Sequence, residues 1–431
     1  MLKKILGTIG TRYLIAILNL ALIFINAKAL GIEGVGLVGL IVASINIAVI
    51  FNGIFSGNTI VYFMNRYPVQ SIIYPAYLWT FVGSGLACGF MFLTGLLPVS
   101  YWLDIYLVSV VSSLVVANTR ILLGKDNVKG FNLTYMLQGG LLFFALLYFY
   151  YIANEQTVRS YIWGIYITNG IAFIVSCFLI YPILKQKSED KVKVPFGIML
   201  KEMFTYGLWA GTDNLAEVLT TRLNYFLIKR FGGLSSVGLL DAGTKISESV
   251  WHISRSVSLI EYSSVAKTSD TVEQKRITIR LFKLTFCALF VVMGCILCIP
   301  EWIYTDYLFS PEFVGMRKVV IGLSVGVVAL GSNNILSHFF IGTGRIRYSA
   351  FCSLIGLTVL LIAGHLLIPA YGVTGSAIST SIAFTVMLLF SLWAFTKKTH
   401  SRIREFLPNR DDWTYISEKI YDILPISFKR K

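Results

Sequence analysis

Apolar runs long enough to cross a bilayer alternate with short polar connectors along the whole chain. A hydrocarbon core takes about 20 predominantly apolar helical residues. That ruler predicts spans near 12–31, 36–61, 72–97, 102–122, 130–153, 160–184, 203–229, 235–265, 281–300, 317–341, 347–368 and 372–396. The run at 235–265 is the least apolar of these. Connectors this short leave no room for a separate soluble domain, so the helices must pack as one bundle with antiparallel neighbours. The expected fold class is all-α: a polytopic membrane protein of about twelve transmembrane helices.

Composition agrees. The chain of 431 residues is 56% apolar and 14% charged, with mean hydropathy +0.72, whereas soluble domains carry about 25% charged residues. Such a surface needs lipid as its solvent. The net charge of +15 would suit nucleic acid if the bases formed one patch. They cluster instead in connectors and in the C-terminal stretch, as in loops facing anionic lipid, so nucleic acid is not an expected partner. If the spans alternate, 28 Lys and Arg residues fall on the side of the termini and six on the other. The positive-inside rule then places both termini in the cytoplasm. Lys3 and Lys4 lead directly into a full-length span without a clear cleavage site, so no cleavable signal peptide is expected.

The two halves echo one another. Val35-Gly36-Leu37 follows the first span just after Leu30-Gly31, and Val237-Gly238-Leu239 follows the seventh just after Gly232-Gly233, at an offset of 202 residues. Gly124 after span four answers Gly342 after span ten. A 6+6 topology with parallel repeats puts a binding site between the halves. The expected organisation is an N-terminal six-helix bundle (1–185), a basic cytoplasmic linker (186–202), a C-terminal six-helix bundle (203–397) and a basic cytoplasmic tail (398–431). The bundles would be related by pseudo-two-fold symmetry. In the tail, Trp413, Ile416, Ile420 and Ile423 recur at helical spacing, which suits either an amphipathic helix on the inner leaflet or a solvated segment.

Ionisable side chains inside spans are costly and mark a pathway or a polar cavity. Asp241, Lys245, Glu248, His252 and Arg255 follow at spacings of 4, 3, 4 and 3, on one face of a single helix. Neighbours on that face can pair, as Asp241 with Lys245 or Lys245 with Glu248. Asp213, Glu217, Thr220 and Asn224 form a similar stripe in span seven, while Arg222 points to the opposite face. Arg12, Asn19 and Asn26 give span one a milder version, and Asn46, Asn52 and Ser56 dot span two. The polar spans 1, 2, 7 and 8 are equivalent under the repeat and are expected to wall one central cavity. Arg12, Arg222, Lys245, His252 and Arg255 are its candidate substrate-binding cations. Asp213, Glu217, Asp241 and Glu248 are its candidate coupling carboxylates.

Other motifs carry less. Gly34 through Gly39 matches GxGxxG but lies between membrane spans, with no preceding strand and no acid for a ribose. Cys295 and Cys298 form a CxxC inside an apolar run without a second pair, which reads as packing. His338 and His365 are isolated. No nucleophile–histidine constellation, HExxH or P-loop is present, so neither catalysis nor a metal or organic cofactor is expected.

The order of elements resembles the polysaccharide (O-antigen, Wzx-type) flippases of the multidrug/oligosaccharidyl-lipid/polysaccharide exporter superfamily. The resemblance rests on Leu30-Gly31 through Gly36-Leu37, Tyr206-Gly207-Leu208-Trp209, Thr221 through Ile228, and Val237-Gly238-Leu239. Ile299-Pro300-Glu301-Trp302-Ile303 and Tyr371 through Ala377 complete it. It runs from about residue 5 to 398. It implies an inner-membrane protein that carries undecaprenyl-diphosphate-linked oligosaccharide from the cytoplasmic to the outer leaflet by alternating access. The coupling ion would be H+ or Na+, and a polysaccharide polymerase and chain-length regulator would be partners in the bilayer. Asn224 departs from the aspartate common there, and an amide cannot exchange a proton. A cation-coupled multidrug exporter of the same superfamily is the alternative. A polymerase or ligase would need a large external loop that this chain lacks.

Overall fold

A computed structural model describes residues 2–64, 66–185, 195–267 and 270–406. The amphipathic stretch expected from Trp413 to Ile423 and residues 186–194 of the expected linker lie outside the described residues. The described chain is helical throughout: α1 (Leu2–Ser56), α2 (Asn58–Phe63), α3 (Val69–Leu93), α4 (Trp102–Gly124), α5 (Val128–Leu147) and α6 (Val158–Lys185). The second half comprises α7 (Phe196–Glu248), α8 (Trp251–Lys267), α9 (Thr271–Leu297), α10 (Met316–Gly342) and α11 (Ile346–Thr399).

Three of these helices exceed fifty residues, about 75 Å at 1.5 Å per residue, more than twice a hydrocarbon core. Each is broken at one glycine: Gly31 in α1, Gly233 in α7 and Gly372 in α11, with φ of 67°, 69° and 56°. The left-handed φ is open to glycine at little cost and strained for other residues. In α11 the corner is sharp enough that a Cβ on Gly375 would sit 2.1 Å from the Leu367 carbonyl oxygen. Where the hydropathy pattern predicts connectors between spans 1 and 2, 7 and 8, and 11 and 12, a single glycine does the work. Counting α1, α7–α8 and α11 as two spans each gives the expected twelve, with the 202-residue offset preserved in the paired breaks Gly31 and Gly233.

One expectation needs correction. The run 235–265 is not one helix, since α7 ends at Glu248 and α8 begins at Trp251. The serines there compete for the backbone: Ser247 Oγ donates to the Gly243 carbonyl and Ser249 Oγ to that of Ile246, bonds that weaken helix interiors. Trp251 Nε1 donates to the Val327 carbonyl of α10 at 2.8 Å and fixes where α8 starts. The five-residue ionisable stripe is therefore divided, with Asp241, Lys245 and Glu248 on α7 and His252 and Arg255 on α8.

Each half is tied internally by buried amides. Asn52 Nδ2 donates to Ser84 and Ser113 hydroxyls at 2.8 and 2.7 Å. Asn224 Nδ2 meets the Ser376 carbonyl, Ser379 Oγ and Thr380 Oγ1 at 3.0, 3.1 and 2.7 Å. Polarity alone suggests a cavity-lining role for both, and both are buried in helix–helix contacts. Asn19 and Asn46 are exposed. Large apolar side chains such as Leu93 (84% exposed) and Phe178 (75%) lie on the outside, where lipid tails rather than water would cover them.

Candidate functional site

The site is built where α1 meets α7. On the side away from the termini the two helices touch backbone to backbone just after their glycine breaks. A Cβ on Gly36 would lie 2.1 Å from the Leu234 carbonyl oxygen, and one on Gly238 2.0 Å from that of Ile32. Two polar contacts flank the crossing: Ser235 Oγ donates to Glu33 at 3.2 Å, and the Ile32 N–H donates to Glu312 Oε2 at 2.8 Å. Gly36 and Gly238, like Glu33 and Ser235, are 202 residues apart. The repeat thus closes on itself at this end.

One to three turns beyond the crossing sits the ionisable cluster. Asp241 is 1% exposed, and its Oδ2 accepts from Lys245 Nζ at 2.7 Å. Gly39 of α1 makes room for it, since a Cβ there would be 3.0 Å from the Asp241 carboxyl carbon. Glu248 Oε2 accepts from Arg222 Nη2 at 2.7 Å, and Arg222 Nη1 donates to the buried Tyr225 hydroxyl at 2.7 Å. The guanidinium also lies over the Tyr225 ring, 5.4 Å from its centroid. Of the two pairings open to Lys245, Asp241 is taken; Glu248 goes to Arg222, across the glycine corner. Tyr161 of α6 brings the N-terminal half to the same place, beside Asp241. Its part, with that of Tyr225, was not legible from helical spacing, because neither tyrosine lies on the ionisable stripes.

The pairs neutralise two cations with two anions. His252 is half-buried near Glu248 and Arg255. Arg255 is exposed and makes no ion pair among the described residues. Glu217 is half-buried and has a partner of its own. The side chains of Arg12 on α1 and Asp213 on α7 lie outside the described residues. Among those described, no group of three or more His, Cys, Asp or Glu is placed to hold a metal ion.

The seams between the halves differ. On the side of the termini, the end of α1, α2 and the start of α7 are sealed. A Cβ on Gly207 would lie 1.8 Å from the Ile54 carbonyl oxygen, Tyr62 stacks on Tyr206 at 4.3 Å, and Tyr67 donates to Glu202 at 2.7 Å. The opposite seam, between α1 and α8, has only sparse contact among the described residues. Apart from both, an apolar groove of about 630 Å³ runs between α10 and the second half of α11, with Lys318 at one end and Val325 and Ile382 along it.

Comparison with known proteins adds independent findings. A family model described as a polysaccharide biosynthesis protein matches residues 157–318. An uncharacterised membrane protein of Methanocaldococcus jannaschii, MJ1068, is 22% identical over 53% of this chain; the matched region is 45% of that protein's length, so the chain spans under half of it. Among solved structures, an inward-facing multidrug resistance MATE family transporter of the MOP superfamily superposes with a TM-score of 0.72 at 13% identity, covering 90% of this chain and 94% of that one. The lipid II flippase MurJ in an inward closed conformation also reaches 0.72, at 15% identity, covering 100% and 94%. The chain has the two-lobed, twelve-helix fold of these solved transporters, and the polysaccharide biosynthesis model matched at residues 157–318 points the same way as the resemblance read from the motifs.

Proposed function

We propose that this protein moves a polyprenyl-diphosphate-linked oligosaccharide, the undecaprenyl-linked repeat unit of a surface polysaccharide, across the cytoplasmic membrane. Both termini would face the cytoplasm, and an ion gradient would drive the cycle. The observation that carries this reading is the charge balance of the central cluster. Asp241 and Glu248 are taken up by Lys245 and Arg222, and Arg255 is left as an exposed cation. A diphosphate needs such a cation, because a guanidinium can meet two phosphate oxygens at once. Arg255 lies twelve residues from the end of α8, about 18 Å of helix, facing the half of the membrane that holds the termini. The sparse seam between α1 and α8 supports lateral entry there, with the isoprenoid tail remaining in lipid while the head reaches Arg255. A far side closed at Gly36 and Gly238 suits a state that loads cargo from the cytoplasmic leaflet.

The test uses cells that depend on this protein for surface polysaccharide. Arg255→Ala is expected to leave lipid-linked repeat units in the inner leaflet, and Arg255→Lys to restore delivery in part. Full outer-leaflet delivery by Arg255→Ala would refute the anion-binding role. The equal likeness to a multidrug MATE transporter favours one alternative, a cation-coupled drug exporter. It predicts that deletion sensitises cells to cationic drugs and leaves surface polysaccharide intact.

A further inference from the structure

One carboxyl group stands outside every pairing described above. Glu261 of α8 has no solvent exposure, and among the described residues neither of its carboxylate oxygens has a hydrogen-bond partner. Thr278 of α9 lies beside it, but that hydroxyl donates to the Gln274 carbonyl at 2.9 Å. The cluster that covers this end of α8 consists of Val265, Ile279, Phe282, Ile335, Leu336 and aromatic residues of α10 and α11.

Among the described side chains, most charged groups on the packed elements are engaged elsewhere, and Arg276 of α9 is exposed. On α9, Lys275 pairs with Glu405 at 2.8 Å, and Arg280 and Lys283 have partners of their own. On α10, His338 Nδ1 is bonded to the Asn334 carbonyl at 2.7 Å. On α11, Lys397 and Lys398 lie over the rings of Trp393 and Tyr348. On α8 itself, Arg255 and Lys267 are each six residues away, about 9 Å along the helix, and the Lys267 side chain lies outside the described ones.

A charge buried without partner or counter-ion costs several kcal/mol. The packed interface of α8 with α9 therefore holds this side chain as the neutral acid, and ionising it requires water or a cation to enter between the helices. Glu261 lies six residues from the end of α8, about 9 Å of helix from the aqueous face on the side of the termini. The helix that carries it also carries Arg255 and starts at the break after Glu248.

We propose that Glu261 is the proton-binding site of the transport cycle, loaded when α8 is packed on α9 and unloaded when the two part. This rests on the flippase reading for its cargo. A proton taken up from one aqueous phase allows the interface to close, and parting of α8 from α9 releases it to the other. One proton crosses per cycle, and no bond in the cargo is made or broken. Asp241 and Glu248, the acids that helical spacing brings forward, are poor carriers because each already has a cation.

Two measurements on the full-length protein test this. The first is infrared spectroscopy of the protein in lipid at pH 7. The carbonyl-stretch band of a protonated carboxylic acid is expected in the wild type and lost in Glu261→Gln. The second uses proteoliposomes with a trapped pH dye and undecaprenyl diphosphate as the transported probe. A gradient of one pH unit should bias wild-type accumulation about tenfold per proton carried, and Glu261→Gln should give the same accumulation with and without the gradient. A band that persists in the variant, or a variant that keeps the wild-type gradient response, overturns the proposal. So does a wild type that moves the probe with no response to pH. A wild type that does not move undecaprenyl diphosphate refutes the flippase reading instead, and the infrared band then decides the proton site by itself. If Glu261→Gln does not fold, Glu261→Met, which fills the same space without a polar group, takes its place.

Discussion

Adding one methyl group at Gly238 forces the two halves apart. Its carbon would sit 2.0 Å from the Ile32 carbonyl oxygen and 3.1 Å from the Gly36 nitrogen. Carbon–oxygen contacts below 3.0 Å are not tolerated, so the helices must separate by at least an ångström at the crossing. The obstacle is backbone on both sides, and no side chain can rotate out of the way. Overpacking of this kind costs about 1–3 kcal/mol, at about 1.4 kcal/mol per tenfold. The methyl group burdens only the conformation in which the far side is closed. The ratio of closed to open molecules should therefore fall by about 5- to 150-fold. Spin labels at Lys28 and Arg230, exposed positions 202 residues apart beside the two breaks, report the opening as a longer distance by electron double resonance. Gly36→Ala should act alike, and the double variant should gain less than the sum, since both methyl groups enter one contact. Gly243→Ala is the control: its new carbon meets the Val319 side chain at 2.7 Å within the C-terminal half, so stability should drop without a change in distance. An unchanged distance distribution in Gly238→Ala would refute the assignment of this crossing as the closed gate.

Other expectations follow from the same contacts. Glu248→Ala strands the Arg222 guanidinium in a largely buried place and should cost about 3–5 kcal/mol; Glu248→Ala with Arg222→Met should recover most of it in thermal unfolding. Asn52→Ala removes both bonds to Ser84 and Ser113 and should cost about 1–3 kcal/mol, with no loss of transport in molecules that remain folded. At the surface, the Lys275 ammonium and the Arg402 N–H hold the Glu405 carboxyl below its ordinary range. A depressed folded-state value means that this contribution is present above the unfolded carboxyl value, about 4.3, and is lost as pH falls through the folded one. Glu405→Gln should therefore flatten the acid limb of the stability profile slightly, and an acid limb identical to wild type would remove the pair from consideration.

What the sequence made legible and what it hid divide along a physical line. Hydropathy counts carbon atoms against length, so it found the spans, although α9 begins ten residues before the expected start and the run at 235–265 is split. It also found the Val-Gly-Leu repeat, because two glycines 202 residues apart answer the same backbone demand. It could not find that Gly31, Gly233 and Gly372 each replace a connector, since a left-handed corner leaves no trace in hydropathy. Helical spacing united Asp241 through Arg255 on one face because it assumes the helix continues. The break after Glu248 depends on serine hydroxyls and on Trp251 reaching α10, which are tertiary facts. Asn52 and Asn224 were assigned to a cavity because they are polar, yet a buried amide serves equally well to join helices when its donors are met.

Glu261 is the converse case. Helical spacing singles out an acid with ionisable neighbours three or four residues away, and Glu261 has none. That lack of neighbours is what makes it chemically conspicuous in the fold. An acid inside a membrane protein that has found a cation is held by that pairing, as Asp241 and Glu248 are. An acid that has found nothing keeps its charge state tied to the packing around it, and packing is what a transporter changes as it turns from one face to the other. The two kinds of group thus divide the work that the sequence pattern had assigned to one cavity. Paired ions within α7 tie the two arms of its glycine corner together and leave Arg255 for an anion, and the unpaired carboxyl lies about one and two-thirds turns below it on α8. Because both ride on the same short helix, a cargo that pulls α8 toward the cavity through Arg255 would also loosen Glu261 from α9. Arg255→Ala should therefore remove the gradient response together with cargo binding, whereas Glu261→Gln should remove the response alone.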